Sequence, residues 1–117
     1  MLINKYITNK NVFITPEGIK VSNNNSFSSD VGFEYLSEGE KKLILFFLIA
    51  LYSEDTIMFI DEPETSMSLI WQEQIIPDLL QYTNLKNIIV STQSPYIVRN
   101  SELLGNIVYL PSNTEEV

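Results

Sequence analysis

The sequence predicts an α/β fold with a mostly parallel sheet. Two short apolar runs, TIMFI at residues 56–60 and NIIVST at 87–92, read as core strands buried on both faces. Helix-length stretches at 37–53 and 69–82 alternate with them, as strand–helix units of a parallel sheet do. Before Phe33 the texture differs, with short β-branched and aromatic runs separated by polar turns.

The elements follow in order. KYIT, NVFIT and GIKVS, separated by Asn-Lys-Asn and Pro-Glu-Gly, predict a small antiparallel meander within the first 30 residues. SNNNSFSSD at 22–30 is polar and low in complexity and reads as a mobile loop. A division follows, with residues 1–30 as a β-rich lead-in and residues 31–117 as the α/β lobe. Ser37 opens the first long helix, and LILFFLIALY is too short to span a bilayer, so it reads as a buried helix. The second helix carries Pro77, a kinking residue. Ser94 followed by Pro95 predicts a capped short helix to about Asn100, and NIVYL at 106–110 predicts a last strand.

Composition narrows the chemistry. At 117 residues and 44% hydrophobic, the chain suffices for one domain with a core. A net charge of −8 argues against direct binding of DNA or an anionic membrane. Without cysteine or histidine there is no disulfide framework, no thiolate site, and neither the commonest metal ligand nor the usual general base. No secretory pattern opens the chain, so a cytoplasmic location is expected.

Four stretches carry candidate chemistry. In IDEPE, an apolar strand ends in Asp61, Glu62 and Glu64, with no basic residue within ten positions on either side. Asp61 stands where a hydrated Mg²⁺ bridging nucleotide phosphates would be held. Glu62, pointing elsewhere, could polarise a water. The same residues also fit an acidic, solvated strand end. In LSEGE, Ser37 and Glu40 form a capping box that any helix can use. The cap does not ask for Gly39, however, and a hydroxyl, a glycine and free N–H groups at a helix N-terminus also suit a phosphate. Gln93 lies between a strand end and a capped helix, where an amide can position a water or simply make local hydrogen bonds. Ser66, Ser68 and Trp71 lead into the second helix. Ligands of parallel α/β sheets bind at the carboxyl ends of strands, so Asp61, Glu62 and Gln93 are expected to face one crevice.

Taken in order, LSEGE, DEPE, S-x-S-x-x-WQ and STQSP resemble the C-terminal half of an ABC-type ATPase, most closely the RecF-like and OLD-like branch, over residues 33–110. The resemblance implies a partial P-loop NTPase fold, with ATP and Mg²⁺ as cofactors. It implies that Ser37, Gly39 and Glu40 belong to the signature motif facing the γ-phosphate of ATP on an opposite protomer. Asp61 would be the Walker B magnesium ligand, Glu62 the catalytic glutamate and Gln93 the switch residue. Ser66 would lie in the D-loop that meets the partner head. Gln93 replaces the more usual histidine, while Ser68 and Leu69 replace histidine and proline in the D-loop.

No G-x-x-x-x-G-K-[ST] loop occurs: the glycines are Gly18, Gly32, Gly39 and Gly105. The expectation is therefore that the chain starts after that motif and supplies one part of an ATP site, with a second ATPase head or the missing N-terminal half as partner. A nuclease and DNA would be engaged only through a longer protein, and DNA repair or phage defence would be the setting. The competing expectation is a non-hydrolysing module that binds a complete head.

Overall fold

A computed structural model describes residues 2–23 and 30–99, together with Val108 and Leu110. The chain opens with a one-turn helix, α1 (Ile3–Tyr6), then the strands β1 (Lys10–Thr15), β2 (Gly18–Asn23) and β3 (Asp30–Val31). A 3₁₀ turn at Phe33–Tyr35 leads into α2 (Glu38–Tyr52), followed by β4 (Ile57–Asp61), α3 (Leu69–Tyr82) and β5 (Asn87–Ser91).

The antiparallel meander is present as β1–β2–β3, closed by the turn before Gly18, whose φ of +131° lies in a region that side chains disfavour. KYIT is not one of its strands. Residues 3–6 are helical because Ile3 and Tyr6, three apart on one helical face, both enter the core. Asn4 then fastens this turn to β1: its side-chain amide donates to the Val12 carbonyl, and its oxygen accepts from the Val12 N–H. Of the stretch expected as a mobile loop, Ser22 and Asn23 extend β2 and Asp30 begins β3, and residues 24–29 lie outside the described residues.

In α2, Ser37 is the N-cap and the capping box is complete, with Ser37 Oγ accepting from the Glu40 N–H and Glu40 Oε2 accepting from the Ser37 N–H. Leu43, Ile44, Phe46, Phe47 and Ala50 are buried, whereas Leu45, Ile49 and Tyr52 on the other side are exposed. This helix is thus covered along one face and not all round. Ser68 caps α3, which runs through Pro77 without interruption.

Within the described residues, parallel pairing is confined to β4 and β5, in the register Ile57↔Asn87 to Asp61↔Ser91. Two-sided burial is not seen. Met58 and Ile60 point into the core, but Ile57, Phe59 and Ile89 share the opposite face of the pair, and Phe59 is 74% exposed. After β5, residues 95–99 form turns in place of the expected helix, with Ser94 Oγ accepting from the Tyr96 N–H. The strand expected at 106–110 and the end of that helix at Asn100 lie outside the described residues.

One hydrophobic cluster joins the N-terminal elements to the rest. Ile3, Tyr6, Val12 and Val21 pack in the same core as Leu43, Phe47, Ile75 and Leu79. Tyr6 contacts the rings of Phe47 and Trp71, and its hydroxyl donates to Asp78 Oδ2 at 2.6 Å. Asp78 is only 6% exposed and also receives Lys5 Nζ at 2.9 Å, so its buried carboxylate is paired and hydrogen-bonded. No helix among the described residues is long and apolar enough to cross a membrane.

Candidate functional site

The site grows from the C-terminal ends of β4 and β5. Asp61 closes β4 opposite Ser91, and the next peptide continues the pairing, with the Glu62 N–H donating to the Ser91 carbonyl at 2.7 Å. Glu62 then takes a φ of +47°, which turns the chain sharply out of the sheet. Both carboxylates are exposed, and neither has a hydrogen-bond or ion-pair partner among the described residues. They are the two acids of the IDEPE run left open to a cation.

Glu64 is different. Its Oε2 accepts from Thr92 Oγ1 at 2.7 Å and its Oε1 accepts from the Gln93 N–H at 3.0 Å. Desolvation pushes this carboxyl up, but the backbone N–H groups of Gln93 and Glu64, the Thr92 hydroxyl and the nearby Lys42 ammonium outweigh it. The net result is a carboxyl held below its ordinary range.

The cation absent from the local sequence comes from α2. Lys42 Nζ donates to the backbone carbonyls of Glu62 at 3.0 Å and of Thr65 at 3.2 Å. Twenty positions separate Lys42 from Glu62, which is why a search along the strand's own neighbourhood does not find it. Ser66, at φ +64°, completes the turn and brings its carbonyl against Gly39, where an added Cβ would lie 2.1 Å from that oxygen. Gly39 therefore serves a close packing contact between the helix start and the turn after β4, a role that neither a cap nor a phosphate requires.

The remaining expected residues are placed as follows. Ser37 is exposed at the N-cap of α2. Glu40 is buried, its Oε2 shared between the Ser37 N–H and Lys10 Nζ at 2.9 Å. Gln93 is exposed, and its backbone, not its amide, is the part held by Glu64. The loops at 62–66 and 92–94 and the start of α2 are thus brought together.

Sequence reasoning missed Lys42 and Gln72. The Gln72 side chain is buried, donating through Nε2 to the Met67 carbonyl and accepting from Ser94 Oγ. A buried amide on a helix facing a serine after a strand leaves no periodic signal that separates it from a solvated one.

Among the described residues no group of three or more acidic, histidine or cysteine side chains could cage a metal. An open carboxylate at a strand end nevertheless suits Mg²⁺, which takes one or two carboxylates and fills the rest of its octahedron with water and phosphate oxygens. Asp61, exposed at the end of β4, fits that donor set.

A family model described as "AAA domain, putative AbiEii toxin, Type IV TA system" matches residues 5–99. No match was found among curated proteins. The matched span includes LSEGE, DEPE and STQSP, together with the Lys42 and Glu64 contacts that join them.

Proposed function

The chain belongs to this AAA-domain family, and from that membership we propose that it contributes the signature and Walker B side of an ATP site that is completed by a second polypeptide segment. Asp61 holds Mg²⁺, Glu62 accepts the proton of the attacking water, and Gln93 helps place that water. Ser37 at the start of α2 meets the γ-phosphate of nucleotide carried on the opposite head. ATP with Mg²⁺ supplies the phosphoryl group and the charge neutralisation. The chain's own residues orient the ion, the water and the partner's nucleotide.

The observation that carries this reading is the contrast among the three acids. Glu64 is fully engaged in fixing the loops, while Asp61 and Glu62, at the carboxyl end of a parallel strand pair, remain exposed and unpartnered among the described residues. The sequence has no phosphate-binding glycine loop, so the β- and γ-phosphates are held by the other segment. The RecF-like and OLD-like branch, and a setting in phage defence or DNA repair, extend the same proposal.

A second reading is favoured by the exposed face carrying Ile57, Phe59 and Ile89: a module that docks on a complete ATPase head without turning over nucleotide. One experiment separates the two. Supply a polypeptide carrying a phosphate-binding loop and measure ATP turnover for the native chain and for Glu62→Gln. Turnover abolished by that substitution supports the composite site. Docking with no turnover supports the module.

A further inference from the structure

The loops after β4 and β5 are not independent. Starting at Glu64, the carboxylate accepts from the Thr92 hydroxyl, and Thr92 Oγ1 in turn accepts from the Ser94 N–H at 3.0 Å. Ser94 Oγ donates to Gln72 Oε1, and Gln72 Nε2 donates to the Met67 carbonyl at 3.0 Å. The Met67 N–H donates to the Glu64 carbonyl, also at 3.0 Å, and the circuit is closed. A spur from it reaches the Gln93 N–H through Glu64 Oε1. From the other side, Lys42 grips the Glu62 and Thr65 carbonyls, and Gly39 admits the Ser66 carbonyl.

We propose that Glu64 is a positioning residue for Gln93, and that the ring Glu64–Thr92–Ser94–Gln72–Met67, braced by Lys42, ties Gln93 to the start of α2 so that the two move as one body. The functional half of this inference rests on the ATP-site reading given above; the mechanical half does not. A carboxylate suits this position because both of its oxygens accept, and the Gln93 N–H that meets one of them can only donate. Glutamine would offer one acceptor and a competing NH₂ donor. Charge-assisted bonds of this kind are about twice as strong as neutral ones, and a closed ring removes the slack that a single bond leaves.

The test uses the 117-residue chain labelled with ¹⁵N. In Glu64→Gln, the Gln93 amide proton moves upfield as it loses its carboxylate acceptor, while the amides of Leu43 and Ile75 in the core stay in place. Thr92→Val removes only one hydroxyl and shifts Gln93 and Ser94 together; it keeps the test decisive if Glu64→Gln fails to fold. Lys42→Met shifts Gln93 across the ring, and Lys42→Arg restores it. A Gln93 amide unmoved in both Glu64→Gln and Thr92→Val, or moved by neither Lys42 variant, overturns the coupling. In the assembly complemented with a phosphate-binding segment, Glu64→Gln lowers kcat about as much as Gln93→Ala at unchanged KM, and the double variant is no worse than either alone, the signature of one shared function. Additive losses overturn the positioning role. An assembly that binds but shows no turnover in the native form defeats the ATP-site reading, and the amide shifts still decide the coupling.

Discussion

Gly39 and Ser66 touch so closely that no side chain fits between them: a Cβ on residue 39 would stand 2.1 Å from the Ser66 carbonyl oxygen. The neighbour is backbone, at a residue already held at φ +64°, and it cannot swing aside as a flexible side chain would. Gly39→Ala is expected to destabilise the chain by about 1–3 kcal/mol through overpacking, or to displace the 62–66 turn. Denaturant unfolding measures the first outcome, and amide shifts at Thr65 to Met67 report the second. A stability and a spectrum both unchanged would mean that α2 and the turn are not in contact.

Tyr6 and Asp78 make a second close tie. Desolvation by burial, reinforced by the hydrogen bond to Asp78 and its negative charge, pushes the Tyr6 hydroxyl well above its ordinary range. The folded state thus holds the phenolic proton more tightly than the unfolded chain. The resulting stabilisation is fully present below about pH 10, where the unfolded tyrosine titrates, and is lost as pH rises beyond it. Tyr6→Phe should flatten that alkaline loss. It should also cost about 1–3 kcal/mol at neutral pH, because a buried carboxylate loses a donor. Unfolding curves across the alkaline range check both.

Glu64 gives the opposite sign. Its carboxyl is held low in the folded protein, so its contribution is present above the unfolded glutamate range near about pH 4.3 and fades as pH falls through the lowered folded value. Acid titration of native stability should therefore be steeper than that of Glu64→Gln. The amide of Gln93 should respond in the same interval, since it donates to the titrating group.

These contacts mark the boundary of what the sequence made readable. The two long helices and both core strands fall within a residue or two of their expected limits, because capping boxes, apolar runs and helix stops are local signals. KYIT failed for the complementary reason. Its aromatic and β-branched side chains read as strand, whereas Lys5 and Tyr6 end a helical turn set by the tertiary fit of Ile3 and Tyr6, with Asn4 bonded to Val12. Order and residue type placed Asp61, Glu62 and Gln93 at neighbouring strand ends. Lys42 and Gln72 were invisible because their roles depend on which turns of α2 and α3 face the two loops, and this is set by packing.

The exposed face of β4 and β5 supports a last prediction. Ile57, Phe59 and Ile89 lie side by side there, and the partner-free side of α2 adds exposed Leu45 and Ile49. Apolar surface of this extent on a small chain favours association, as do strand edges that can accept another strand. The net charge of −8 opposes it through long-range repulsion. Salt decides between them: raising ionic strength screens the repulsion but leaves the apolar attraction intact. Light scattering should therefore show association growing with salt, and a hydrophobic dye should bind at low salt. Phe59→Ser should reduce both with little loss of stability, because its side chain is already largely in solvent. Association that weakened with salt would instead identify charge pairing as its cause, and dye binding unaffected by Phe59→Ser would move the sticky surface to α2.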